Sequence, residues 1–276
     1  MSANVAFQPV EESGWRTGFA NVLRREHREW WRTRRWWINV LIWLAVINGI
    51  GAMMLATPTL GPDGEVAEQS EISADFAVQS ALFNLVIMAG LFTVIGAIIV
   101  MQGSIIDEKK SGTAAWILSK PVSRTAFIVA KFTANAFALV VITTVIQWAV
   151  TYALFALRGH SLPVGPFVFG VALLALHLLF YTALTLALGT FFRDRGAVIA
   201  IPIVILFSAQ FLIGNFPVLV SFSPWGLIFP AGADQPSVIQ AMSGQPLTTF
   251  APVIATAVLT VGLVALAIWR FRREEF

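Results

Sequence analysis

Cysteine is absent from the 276 residues of this chain, and charged residues are scarce. Without cysteine there can be no disulfide, thiolate metal site, thiol nucleophile or redox motif. Charged residues make up 12% of the sequence, whereas an ordinary soluble domain has about 25%. Hydrophobic residues make up 57%, and the mean hydropathy is +0.77. These values exclude a soluble globular protein, and the length suits a single polytopic membrane domain.

Motifs for catalysis and metal binding are also missing. The sequence has no GxxxxGK[ST] loop, so the chain cannot hydrolyse ATP through a P-loop. It has no HExxH motif, and His27, His160 and His177 do not have the spacing of a metal site. We therefore expect that the chain is not an enzyme and holds no cofactor, and that any energy source is another polypeptide.

Six apolar runs are long enough to cross a membrane as helices, which takes about 20 residues each. The runs cover residues 36–55, 76–101, 126–157, 166–192, 197–214 and 250–269. They are continuously apolar, without the alternation of a β-barrel strand. The sequence thus predicts an all-α membrane protein with one six-helix domain over residues 36–270. A cytoplasmic lead with an interfacial helix (residues 1–35) precedes this domain, and a cytoplasmic tail (residues 271–276) follows it.

Few polar side chains fall within these runs. No run contains an aspartate or glutamate, which argues against a proton- or sodium-coupled carrier, because such carriers usually keep a carboxylate in the bilayer. Lys131 lies within about two turns of the end of its run, from where its long side chain can reach water. Interhelical hydrogen bonding is the favoured role for His177 and the amides, with substrate contact as the alternative. The amides are Asn39, Asn48, Asn84, Asn135, Gln147 and Gln210.

Basic residues are concentrated on one side of the predicted bundle. Of the 18 lysines and arginines, all but Arg158 lie in the N-terminal segment, the second connection with the foot of the third run, the fourth connection and the tail. Cytoplasmic segments retain lysine and arginine, so we expect a cell-membrane protein with both termini in the cytoplasm. The first connection is then external, and all of its charged residues are acidic: Asp63, Glu65, Glu68, Glu71 and Asp75. Contact with anionic lipid explains the pI of about 9.7 without a nucleic-acid partner.

An amphipathic helix is predicted just before the first run. At 100° per residue, one arc holds Trp15, Phe19, Val22, Leu23 and Trp30. The arginines outside this arc are Arg16, Arg24, Arg25, Arg28 and Arg32. Such a helix is typical of the membrane interface. Glu26 lies inside the apolar arc, where it either pairs with a neighbouring arginine or reaches water, or contacts a partner subunit.

Two connections have more internal structure than a simple tether. The second connection, residues 103–124, contains Gly112, which can end one short helix, and Pro121, which ends the next apolar piece. The connection between the fifth and sixth runs is apolar over residues 216–230 but broken by three prolines, so it cannot cross as one helix. There we expect a short re-entrant or outer-leaflet pair of helices, shielded by protein.

These stretches resemble the membrane subunit of type-2 ABC transporters. The segment Leu23-Arg-Arg-Glu-His-Arg-Glu-Trp-Trp-Arg-Thr-Arg-Arg35 is similar to the interfacial helix of that family. The segments Asp107-Glu-Lys-Lys-Ser-Gly-Thr113 and Leu118-Ser-Lys-Pro-Val-Ser-Arg124, followed by Lys131, are similar to its cytoplasmic connection. The proline-broken segment resembles the short extracellular helices of the family.

The resemblance implies a coupling region at residues 103–120 that docks on a separate ATP-binding subunit, beside the interfacial helix. Its implied contact residues are Ile105, Ile106, Asp107, Glu108, Lys109, Lys110, Gly112, Thr113 and Trp116, and those of the interfacial helix are Arg24, Arg25, Glu26 and Arg28. Isoleucine and tryptophan side chains can serve as apolar anchors, and the charged residues as an orienting rim.

The implied function is that of a permease subunit working as a dimer, either with a second copy or with a homologous permease. The resemblance implies an exporter driven by ATP and magnesium bound to the partner subunit. Substrate would move between the two copies, along the first, second and fifth spans. A membrane scaffold that anchors an ATPase without transport remains an alternative, and a membrane enzyme is a weaker one that requires a carboxylate or histidine cluster created by folding.

Overall fold

The computed structural model describes residues 14–56, 74–160, 162–213, 215–232 and 234–274. Of these described residues, 80% are helical. The described residues form no strand, only an isolated bridge between Ala231 and Asp234. The predicted acids Asp63, Glu65, Glu68 and Glu71 lie outside the described residues, as do residues 1–13 and 275–276 of the predicted lead and tail.

Within the described part of the chain, six helices are long and apolar enough to cross a membrane, which confirms the predicted all-α class with six spans. They begin and end at Arg35–Met53, Gln79–Lys110, Arg124–Leu157, Val164–Phe191, Arg195–Leu212 and Ala251–Arg272. The individual helices are α1 (Phe19–Trp31), α2 (Arg35–Trp43), α3 (Gly49–Ala56), α4 (Ala74–Met101), α5 (Gly103–Lys110), α6 (Thr113–Leu118), α7 (Arg124–Leu139), α8 (Ile146–Leu157), α9 (Val164–Phe191), α10 (Arg195–Leu212), α11 (Pro217–Ser221), α12 (Trp225–Ile228), α13 (Ser237–Met242) and α14 (Ala251–Arg272).

The fourth span, α9, lies at the centre of the bundle. It packs against α4, α10, α13 and α14. It carries a long series of buried side chains, and small residues allow close approach: Ile105 lies over Gly189, and Met242 lies over Gly170. Small residues are common where membrane helices pack closely, because lipid offers no hydrophobic force to hold helices together.

The first and third spans each contain a π turn, at Leu44–Asn48 and Val140–Val145. A buried amide network joins the two spans beside these turns. Asn48 donates to Gln147 at 2.9 Å, and Thr151 donates to Asn48 at 2.9 Å. The Gln147 side chain also donates to the carbonyl of Ile142, within the second π turn, at 2.9 Å. Interhelical hydrogen bonding, the favoured role of the amides, is therefore confirmed for Asn48 and Gln147. It is wrong for Asn39 and Asn84, which donate to carbonyls four positions earlier on their own helices.

We expect Gln147→Leu to destabilise the protein by about 1 kcal/mol, because Asn48 loses its acceptor inside the membrane. The measurement is the thermal unfolding midpoint of the purified protein in detergent. Gln210→Leu is the matched control, since Gln210 is exposed on the fifth span and makes no hydrogen bond with a described residue. Equal midpoints for the two variants would contradict this role of the network.

The connection between the fifth and sixth spans enters the bundle. Its short helices are α11, α12 and α13, as expected from the prolines that break the run. Ile228 lies against Gly90, near the middle of α4, and the Pro224 carbonyl is 3.1 Å from Nδ1 of His177, near the middle of α9. Leu227 and Ile228 are fully buried. Protein therefore surrounds this irregular backbone, as its position among membrane spans requires.

Candidate functional site

The second connection forms a bent pair of helices, which we call the elbow (residues 103–118). Its first helix, α5, continues from α4 after Gln102, and its second helix, α6, begins after Gly112. Gly112 has φ of +71°, a left-handed conformation that favours glycine. This confirms the prediction that Gly112 ends the first helix. The two helices of the elbow contact each other, and α5 also contacts α9.

The apolar residues of the elbow divide into a buried and an exposed set. Ile105 and Ile106 are 1% and 0% exposed, because α5 packs against the central fourth span. In this structure they are therefore core residues, not the surface anchors that we expected. Trp116 is 61% exposed, with Lys120 Nζ 3.5 Å from its ring centroid. It is the large apolar side chain that the elbow leaves exposed.

A buried charge cluster joins the elbow to α1 and to the third span. We use this name for Glu26, Glu108 and Lys131. The Lys131 ammonium lies 2.9 Å from Glu26 and 3.0 Å from Glu108, and its side chain is 4% exposed. Arg25 contacts Glu108 at 3.2 Å from the edge of the cluster. The three members come from α1, α5 and α7, so the cluster ties three helices together.

This cluster corrects two predictions. Lys131 does not extend to water, because its ammonium lies between two carboxylates inside the protein. Glu26 pairs with Lys131, 105 positions away, and forms no ion pair with a neighbouring arginine among the described residues. The physical reason is that the apolar arc of α1 packs on α7, which carries Glu26 into the protein together with Val22 and Trp30.

The packing of α1 on the third span involves further specific contacts. The Trp30 indole donates to Asn135 at 2.9 Å. Gly18 has φ of +77° and lies against Val122, where a side chain has no room. Ser123 donates its amide to the Thr17 carbonyl at 3.0 Å. Thus α1 lies along the start of the third span, and Arg24 and Arg28 lie on its exposed face.

The remaining charged residues of the elbow bind the fourth connection and the end of the sixth span. Asp107 pairs with Arg195, the first residue of α10. Lys109 pairs with Glu274 at 2.7 Å and donates to the Thr190 carbonyl at 2.9 Å. In contrast, Lys110 is exposed and forms no ion pair with any residue that the structure describes. Of the four charged residues of the elbow that were expected to form a rim, Lys110 is thus the one without an ion-pair partner among the described residues.

A cavity of about 520 Å³ opens beside the elbow. Its lining includes Lys109, Lys110, Gly112, Arg193 and Glu274. Thr113 lies at the adjoining turn, where its hydroxyl is 2.8 Å from that of Ser111. Arg193, like Lys110, is exposed and has no ion-pair partner among the described residues. The charged residues that line the cavity therefore carry a net positive charge, because three are basic and one is acidic.

Four segments that are distant in sequence meet at this end of the bundle. They are the N-terminal helix, the second connection, the fourth connection and the residues after the sixth span. Counting positive charges predicts that these segments lie on one side. The pairing of Asp107 with Arg195 and of Lys109 with Glu274 was not predicted, because no local pattern selects one basic residue among the many on this side.

These observations define a polytopic helical membrane protein with an anchored elbow at one end. The chain belongs to the ABC-2 transporter family: the model described as ABC-2 family transporter protein matches residues 20–276. The chain is also similar to an uncharacterized transmembrane protein of Bacillus subtilis (strain 168), YxlG. The two are 24% identical over 269 residues, which cover 92% of this chain and 97% of that protein. The chain is thus a membrane component of a transporter, a part that is not catalytic by itself.

Proposed function

We propose that this chain is the permease subunit of an ATP-driven exporter in the cell membrane. Two copies, or one copy and a homologous permease, would assemble with ATP-binding subunits that hold ATP and magnesium. Membership of the ABC-2 family implies an ATP-binding partner in general. The observation that carries the proposal is the elbow, which exposes Trp116 while ion pairs hold Asp107, Glu108 and Lys109 to the bundle.

The elbow is suited to transmit movement because it is tied to the bundle on both sides. Glu108 connects it to α1 and the third span through Lys131, and Asp107 connects it to the fifth span through Arg195. Its helix α5 also continues directly from the second span. An ATP-binding subunit that pulls on Trp116 and Lys110 would therefore move several helices together. The elbow end is the cytoplasmic end in this proposal, since it holds most of the lysines and arginines.

The transport path would lie between two permease copies. The first and fifth spans, like the sixth, have little contact within the chain, since 17%, 22% and 22% of their most apolar stretches are buried. The resemblance to the family places the first and fifth spans at the contact between copies. Both expose large apolar side chains, including Leu41, Ile42, Phe207 and Phe211. Facing copies would cover these surfaces. Apolar walls with scattered amides suit an amphiphile, such as a lipid, a peptide or a drug-like molecule, as the transported substrate.

A membrane enzyme requires a cluster of carboxylates or histidines formed by folding. Folding does bring Glu26 and Glu108 together, but the Lys131 ammonium binds both carboxylates. The described residues contain no group of three or more His, Asp or Glu side chains that could hold a metal ion. The cluster therefore supports a structural role better than a catalytic one.

The test is purification of the tagged protein from its native membrane in mild detergent, followed by reconstitution in lipid vesicles. We expect an ATP-binding cassette subunit to copurify, and the complex to hydrolyse ATP and respond to its transported substrate. An ATPase can also copurify without transport. If amphiphiles change neither its rate of ATP hydrolysis nor the contents of the vesicles, the result would favour the scaffold. A folded, intact preparation without an ATPase would contradict the proposal.

A further inference from the structure

The sixth span is fastened to the elbow at its cytoplasmic end. Glu274, just after α14, pairs with Lys109 of the elbow at 2.7 Å. Both side chains are 10% exposed, so water competes little for this ion pair. Lys109 is also held by the Thr190 carbonyl at the end of α9. The sixth span and the elbow therefore meet at one shielded contact.

Contacts with the third span fix the backbone around this ion pair. Arg124, the first residue of α7, donates to the carbonyls of Arg272 and Glu274, each at 2.7 Å. Phe271 stacks on Phe127 with ring centroids 5.1 Å apart and an interplanar angle of 4°. Glu274 is thus presented to Lys109 by a fixed backbone, and α14 cannot slide without disturbing the contact.

The other end of α14 meets the irregular connection that enters the bundle from the outer side. Between these ends, α14 is one uninterrupted helix of 22 residues, about 33 Å long. Pro252, in its first turn, lies so close to Gly226 of α12 that a side chain at Gly226 would collide with it. A rigid helix thus connects the elbow with α12, whose last three residues are buried and whose Ile228 lies beside the middle of the second span.

We propose that the Lys109–Glu274 ion pair is the joint through which the elbow moves the sixth span and, with it, the outer segment α11–α13. Both are positioning residues: they touch neither nucleotide nor substrate, and they act through α14. The proposal rests on the proposed function, because the ATP-binding subunit supplies the movement of the elbow. In this proposal, the outer segment α11–α13 moves together with the sixth span. It therefore moves when ATP binds, although it lies at the end of the bundle opposite the elbow.

The absence of cysteine allows a direct test. In the assembled complex, Phe250→Cys places one thiol at the start of the sixth span, at a position that is 57% exposed. An environment-sensitive fluorophore on this thiol reports movement when ATP and vanadate are added. The variants are Lys109→Glu, Glu274→Lys and the double exchange, which restores the ion pair with reversed charges. Arg273→Glu is the matched control, since it reverses a neighbouring charge that forms no ion pair with the described residues.

We expect each single exchange to abolish the nucleotide-dependent emission shift, and the double exchange and the Arg273 control to retain it. ATPase association should persist in all variants, because Trp116 and the buried charge cluster are unchanged. An emission shift that survives both single exchanges would overturn the joint. Loss of the ATPase in the single variants alone would also overturn it, since Lys109 would then be a docking residue.

Folding and the proposed function are tested separately. Thermal midpoints identify a single variant that is merely unfolded, and a double exchange that folds normally but gives no shift counts against the joint. If the unsubstituted protein binds no ATPase, the proposed function fails, and the joint fails with it. If the parent complex binds the ATPase and gives the emission shift, but the single exchanges also keep the shift, only the joint fails.

Discussion

Lys131→Met is expected to lower the free energy of unfolding by about 3 to 5 kcal/mol, the largest effect of any single substitution that we predict. The variant removes the cation that binds both Glu26 and Glu108 and leaves two carboxylates inside the protein. Such a loss corresponds to a fall of about 6 °C or more in the thermal midpoint. Because Glu26 would lose its only ion-pair partner among the described residues, α1 should also detach from the third span and become sensitive to protease.

Two further variants separate charge pairing from a general loss of packing. Lys110→Met removes an exposed lysine that has no ion-pair partner among the described residues, so its midpoint should match that of the parent. The triple variant Glu26→Gln, Glu108→Gln and Lys131→Met removes the whole cluster and should recover much of the lost stability, since no carboxylate remains unpaired. A midpoint for Lys131→Met equal to that of Lys110→Met would show that the cluster does not hold the helices together.

Trp116→Ala is expected to weaken the affinity for the ATP-binding subunit by about 30-fold, because a buried tryptophan at an interface typically contributes 2 kcal/mol or more. The substitution should leave folding unchanged, since Trp116 is 61% exposed and α6 is held by Ala114 and Ile117 in the core. The measurement is the dissociation constant between the two purified subunits, together with the thermal midpoint of the permease alone.

Trp269→Ala is the matched control, because Trp269 is 48% exposed on the sixth span and lies outside the elbow. Its affinity for the ATP-binding subunit should equal that of the parent protein. If Trp116→Ala and Trp269→Ala bind equally well, the exposed face of α6 is not the docking surface.

The number of spans and their helical type could be predicted from the sequence because each span depends on local composition. A run of about 20 apolar residues has few alternatives to a spanning helix. Gly112 also predicted the turn of the elbow correctly, because the left-handed backbone conformation that ends a helix is a local feature that glycine adopts readily. For the same reason, the prolines indicated the short helices between the fifth and sixth spans.

The interactions within the site could not be predicted, because they depend on which helices are neighbours. Glu26 and Lys131 lie 105 positions apart, and several arginines near Glu26 were equally plausible partners before the packing of α1 on α7 was known. Ile105 and Ile106 were expected on the surface because the family resemblance implies a docking face in this connection. In the structure, the fourth span covers them.

The π turns at Leu44–Asn48 and Val140–Val145 had no sequence signal of their own. Asn48 and Gln147 could have drawn attention to these positions, because amides inside a span need partners. Only the structure shows that the two amides bind each other beside both turns. A π turn widens its helix locally, and such turns are frequent at functional positions in helices.

Cysteine cross-linking of the elbow tests the central claim most directly. Trp116→Cys would be the only thiol in this chain, and Leu157→Cys, 82% exposed at the other end of the third span, is the control. In native membranes that contain the partner subunits, an amine-and-thiol cross-linker of short reach should join the Trp116→Cys protein to an ATP-binding cassette subunit and should not join the Leu157→Cys protein to it. A cross-link from Leu157→Cys, or none from Trp116→Cys while the ATPase still copurifies, would contradict docking at the elbow.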